Sequence, residues 1–104
     1  MCGLAGLVCT KCGCSDETHS HIVGRMCELQ HHRGPDDSGI ATFDAVCLGS
    51  NRLKIIDLSG AGHMPMTDPA TGWSIVYNGE VYNYIDLRQE LIACGHTFNS
   101  HTDT

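Results

Sequence analysis

Turn residues break this chain into short pieces, and the spacing between them limits what it can fold into. The strand-like runs "IATF" (40–43), "AVCLGS" (45–50) and "NRLKIID" (51–57) follow one another with almost no connecting chain. Neighbours so close can pair only antiparallel, because a parallel crossover needs a dozen or more residues. "GLAGLV" at 3–8 reads as a further buried strand, and "WSIVYN" (73–78) and "HTFNS" (96–100) as later ones. Two stretches carry a helical stripe instead. Ile22, Val23, Met26, Cys27 and Leu29 predict a helix over 17–31 capped by Ser15 or Asp16, and Gly34-Pro35 stops it. Ile85, Leu87, Leu91 and Ile92 predict a second helix, with Asn83 as cap and Gly95 as stop. Between them, 58–72 is a long loop rich in Gly, Pro and Ser. Strands before and around two helices give an α+β domain, mainly antiparallel.

The 104 residues amount to one small domain with a limited core, and 41% apolar content suits a globular chain. The net charge of −6 and only six Lys and Arg without a basic run argue against nucleic acid as a partner. No apolar stretch approaches the ~20 residues of a membrane helix. The first residues lack the basic and apolar halves of a signal peptide, so a cytoplasmic location is expected. In that setting the seven cysteines are reduced thiols, metal ligands or a catalytic group.

Cys2 stands directly behind the initiator Met1. One reading is a small buried hydrophobe, the ordinary role of cysteine. The other requires removal of Met1, which puts a thiol and a free α-amino group on one residue. An α-amine titrates near ~7.7–8, close enough to neutrality to act as general base for its own thiol. Such a thiolate attacking a carbonyl needs oxyanion donors. "YNGE" (77–80) offers the Asn78 amide and the Gly79 N–H, although Asn-Gly also commonly makes a hairpin turn. Arg52, at the start of "NRLKIID", is either a two-pronged carboxylate clamp or a solvated rim charge. Glu80 and Asp103 could hold a substrate ammonium or simply be surface charge.

Six segments occur in order: "MCGLAG", "HRGPDDSG", "NRLKIIDLSGAGHMPM", "YNGEVYNY", "LRQELIACGHTF" and "SHTDT". Together they resemble the N-terminal glutaminase domain of asparagine synthetase, a class II glutamine amidotransferase, over nearly the whole chain except roughly 9–21. The resemblance implies a partial αββα sandwich of the N-terminal nucleophile hydrolase type. It implies that Cys2 attacks the side-chain amide of glutamine and forms a γ-glutamyl thioester, with Asn78 and Gly79 as oxyanion hole. Arg52 would bind the α-carboxylate, the backbone of Leu53, Lys54, Ile55 and Ile56 would line that pocket, and Glu80 and Asp103 would bind the α-amino group. No cofactor is implied for glutamine hydrolysis; ATP and Mg belong to a synthetase domain, absent here, that accepts the ammonia.

Two departures from the family carry expectations of their own. Cys9, Cys12 and Cys14 with His19 and His21 have the look of a zinc site, yet the spacing matches no strong zinc pattern. A variable surface loop is the reading adopted. The family's domain also continues past "SHTDT", so the chain is expected to be the front half of the domain. Its strand 96–100 would then present an unpaired edge, and the isolated chain is expected to associate, as a homo-oligomer, or to be partly unfolded, with turnover weak or absent. The competing reading is an inactive fragment or small zinc-binding module that keeps the motifs. A lesser departure is Met64, where the family usually carries glutamine; no effect on the chemistry is expected.

Overall fold

The computed structural model describes residues 1–10 and 15–104. It is an α+β domain with two antiparallel sheets. Strands β1 (Gly3–Val8), β2 (Asp37–Phe43) and β3 (Val46–Arg52) form a sheet of order β1-β3-β2. Its registers run from Gly3↔Asn51 to Val8↔Val46 and from Asp37↔Arg52 to Phe43↔Val46. The β2–β3 connection is the pair Asp44-Ala45, with Asp44 in the left-handed region at φ 47, a conformation Asp tolerates better than most residues.

Helix α1 (Asp16–Leu29) covers one face of this sheet. Ser15 caps it by accepting the Thr18 N–H at 3.3 Å, and Asp16 and Glu17 suit the positive end of the helix dipole. His19, Val23 and Cys27 recur every four residues and are buried. Val23 and Cys27 meet Cys47, Ala5 and Leu7 of the sheet in a small core. Burial raises the Cys27 thiol above its ordinary range, and nearby Cys47 raises it further.

His19 is an anomaly in that core. It is 3% exposed, yet among the described residues neither ring nitrogen has a hydrogen-bond partner. A buried polar group without a partner costs about 1–3 kcal/mol. His19→Leu, similar in volume, is therefore expected to stabilise the domain by about 1 kcal/mol, read as a higher urea midpoint. A lower midpoint would show that a ring nitrogen is satisfied. Of the zinc expectation, Cys12 and Cys14 lie outside the described residues. His21 is exposed, and among the described residues no three Cys, His, Asp or Glu side chains gather as metal ligands.

Three expected strands are corrected. "NRLKIID" is not a separate strand: Asn51 and Arg52 finish β3, and 53–57 leave the sheet. Side chains take the backbone donors there, with Leu53 N–H directed to Cys2 Sγ (3.3 Å) and Lys54 N–H to Asp36 Oδ2 (2.9 Å). "WSIVYN" shrinks to β5 (Ser74–Ile75), paired with β4 (Met66–Thr67) inside the expected long loop. Tyr77 N–H turns to Met64 Sδ at 3.3 Å instead of continuing a ladder. "HTFNS" forms no strand, so the unpaired strand edge expected there does not exist. Arg88 lies 4.5 Å from the Phe98 ring centroid, and His101 N–H is taken by Asp57 Oδ2.

Helix α2 (Tyr84–Ala93) follows the expected bounds, and Gly95 ends it at φ 93. Asn83 occupies the cap position without a side-chain cap bond, and no α2 residue is buried. Among the described residues, no helix is long and apolar enough to cross a membrane.

Candidate active site

Antiparallel pairing of β1 with β3 decides where the site forms. Because Gly3 pairs with Asn51, the residue before β1 arrives beside the end of β3. Cys2 is therefore held where the chain leaves the sheet at Leu53. Its Sγ accepts the Leu53 N–H at 3.3 Å, and its carbonyl accepts Arg33 Nε at 3.2 Å. Arg33 ends the 3-10 turn His31–Arg33 that follows α1.

A cavity of about 370 Å³ opens at this corner. Met1, Cys2, Arg52, Leu53, Ile55 and Ile56 line it, together with Asn78, Gly79, Glu80 and Asp103. Lys54 is not among the lining residues. The walls are thus drawn from the first residues, the end of β3, the 77–80 segment after β5 and the last residues of the chain.

Arg52 is 8% exposed and already engaged. Nη1 donates to the Ser59 carbonyl at 3.0 Å, and Nη2 to the Asp57 carbonyl. A guanidinium has five N–H donors, so these two bonds leave three others. The backbone of Gly62 lies directly on this group: a Cβ there would come within 2.6 Å of Arg52 Cζ. Glycine is what lets the 60–62 turn close over the arginine.

Asp57 is buried and its carboxylate is fully used. Oδ1 accepts the Ser59 N–H at 2.8 Å and Oδ2 the His101 N–H at 2.9 Å. Hydrogen bonding from Ser59, then from His101, holds this carboxyl down at about 2, with the Arg52 charge adding to it. Its folded value lies below the ordinary carboxylate range near ~3.9, so its stabilisation is full above that range and lost as pH falls through about 2. Also in the lining, Asp103 Oδ2 accepts the N–H of Val81, the residue after Glu80, at 2.7 Å. Asn78, Gly79 and Glu80 are exposed to the cavity mouth.

Residues 1–104 match the glutamine amidotransferase domain family. The chain belongs to that family. Among similar proteins, the glutamine-hydrolyzing asparagine synthetase 1 of Bacillus subtilis is 38% identical over 104 residues, which is 100% of this chain and 16% of the relative. Asparagine synthetase 3 of the same organism is 41% identical over 106 residues, 100% of this chain and 17% of the relative. The asparagine synthetase of Sandersonia aurantiaca is 37% identical over 106 residues, 99% of this chain and 19% of its own. The chain thus spans less than a fifth of the length of these curated relatives.

Sequence reasoning expected no effect from one residue of this amidotransferase domain, Met64, and passed over another, Asp57. Met64 is 7% exposed, lines the cavity, and its sulfur accepts the N–H of Tyr77, the residue before Asn78. The departure from the family's glutamine therefore touches the segment that carries the expected oxyanion donors. Asp57 closes the "NRLKIID" motif, and its sequence position alone gives no sign that its partner is His101, 44 residues on.

Proposed function

We propose that this domain hydrolyses glutamine to glutamate and ammonia, with Cys2 as nucleophile after removal of Met1. One observation carries the reading: Cys2, an arginine, an Asn-Gly pair and two acidic residues, distant in sequence, surround one cavity. The freed α-amine of Cys2 takes the thiol proton as sulfur attacks the amide carbon of the glutamine side chain. The Asn78 side-chain amide and the Gly79 N–H receive the developing oxyanion. The tetrahedral adduct expels ammonia, which carries off the proton held by the amine, and leaves a γ-glutamyl thioester. Water activated by the same amine then adds to the thioester, and its collapse returns the thiol and glutamate. Arg52 would hold the α-carboxylate, and Glu80 with Asp103 the α-ammonium. While Met1 is attached, the Cys2 nitrogen is an amide and cannot serve as base.

By likeness to the asparagine synthetases, the ammonia would pass to a synthetase domain, the place for ATP and Mg. The 104 residues would be the front half of a glutaminase domain. The finer fold reading, an αββα sandwich of the N-terminal nucleophile hydrolase type, is supported by the sheet face away from α1. Leu4 and Val8 are exposed there, and Val46, Leu48 and Phe43 half-buried beside them. That is an apolar face for a second sheet or a second copy of the chain to cover.

The test is to verify loss of Met1 by intact mass and then offer glutamine and an electrophilic glutamine analogue. Glutamate and ammonia in equal amounts, with the label on Cys2, are expected. A label confined to exposed Cys94 would sink the reading. Roles within the site separate by kinetics. Arg52→Lys keeps the charge but loses the fork that holds both loop carbonyls and substrate, so it should mainly raise KM. Asn78→Ala should lower kcat by ~100-fold, as loss of an oxyanion donor does. Identical kinetic signatures would refute the division.

A further inference from the structure

We propose that Asp57 is a positioning residue that ties the Arg52 side of the cavity to the Asp103 side, and so sets the distance between the sites for the two α-substituents of glutamine; this rests on the glutaminase reading above. Three of its atoms do the tying. The backbone carbonyl holds Arg52 Nη2, and Oδ1 holds the Ser59 N–H, whose own carbonyl receives Arg52 Nη1. Oδ2 reaches across to the His101 N–H. Thr102, which comes next, is buried and its carbonyl accepts Arg88 Nη2 at 3.0 Å; Asp103 follows at the cavity. Asp57 is itself 6% exposed and does not touch the nucleophile. Among the described residues, no strand ladder joins 53–62 to 100–104. The Asp57 carboxylate is the hydrogen-bonded tie between these two segments, beside the packing of the Thr102 methyl on Gly62, and binding an amino acid by both ends requires their register to be held within a fraction of an ångström.

Asp57→Asn is the informative variant because it keeps shape and one acceptor. Its NH₂ must face either the Ser59 or the His101 N–H, so one of the two bonds is lost. The experiment is inactivation of the Met1-free chain by an electrophilic glutamine analogue, with alkylation by iodoacetamide in parallel, both read at the Cys2 peptide. Asp57→Asn should raise the analogue's inhibition constant at least ~10-fold, as loss of a charge-assisted hydrogen bond does. The limiting inactivation rate and the iodoacetamide rate should stay within about two-fold, because neither needs the α-substituents held.

His101→Pro removes the Asp57–His101 bond from the other side and should raise the inhibition constant likewise. Combined with Asp57→Ala, which takes away the acceptors of both bonds, it should add little, because the His101 N–H then has no Asp57 acceptor left to lose. An unchanged inhibition constant in Asp57→Asn, or fully additive effects of the two substitutions, would overturn the proposal. So would a fall in the iodoacetamide rate matching the loss with the analogue, which would mean general collapse of the site. If the unsubstituted chain reacts with iodoacetamide at Cys2 but ignores the analogue, the glutaminase reading itself has failed, and this inference with it.

Discussion

Cys2→Ser is expected to lower glutamine-dependent ammonia release by roughly 1000-fold or more and to abolish labelling by the glutamine analogue. The substitution changes one atom and leaves the shape of the corner intact. Leu53 N–H still finds an acceptor at the position where it now meets Sγ at 3.3 Å. The loss is therefore chemical. An alcohol is almost wholly protonated at neutral pH and a poorer nucleophile toward an amide, and one α-amine does not make up the difference. Affinity for glutamine should survive, because Arg52, Glu80 and Asp103 line the cavity independently of the sulfur. Calorimetric binding of glutamine to Cys2→Ser with no turnover would fit this division. Turnover within ten-fold of the unsubstituted chain would mean that another group attacks.

Gly34→Ala is expected to destabilise the domain by about 3 kcal/mol. Gly34 is buried where the chain passes from the turn after α1 into β2, directly over the backbone of β3. A Cβ there would stand 2.5 Å from the Asn51 carbonyl oxygen, 2.6 Å from its carbon and 2.7 Å from the Arg52 carbonyl carbon. These are main-chain atoms of the central strand, bonded to β1 on one side and β2 on the other. They cannot yield as a side chain would without breaking a ladder. The core offers little reserve, since Val23, Cys27, Cys47 and Met64 are the buried apolar residues among those described. The folded fraction should also bind glutamine less well, because Arg52 moves with its backbone. Gly60→Ala is the control, with nothing within 4 Å of the added carbon. Urea midpoints should fall for residue 34 and hold for residue 60; equal shifts would refute the steric argument.

Helix bounds were legible from local signals because the signals act locally. Ser15 caps α1 through its own neighbour Thr18, and Gly95 ends α2 through its own φ. Strand bounds were not, for a strand exists only where another backbone accepts its hydrogen bonds. "NRLKIID" and "WSIVYN" have the residue types of strands, yet their donors went to Cys2, Asp36 and Met64, none of them sequence neighbours. The His19 burden was equally invisible: its position on the core stripe is periodic, but the lack of a partner is a property of what surrounds it.

The residue types of the site, a thiol behind Met1, an Asn-Gly pair, an arginine and two acids, were set by the sequence alone, because chemistry belongs to side chains. Family membership followed from the same residues in order. The tertiary structure decided which of them share a cavity, leaving Lys54 off its wall, and brought in Met64 and Asp57. The physical reason is contact order. Cys2 meets Leu53 across 51 residues and Asp57 meets His101 across 44, distances at which only the antiparallel register of β1 on β3 and the path of the last residues determine who touches whom.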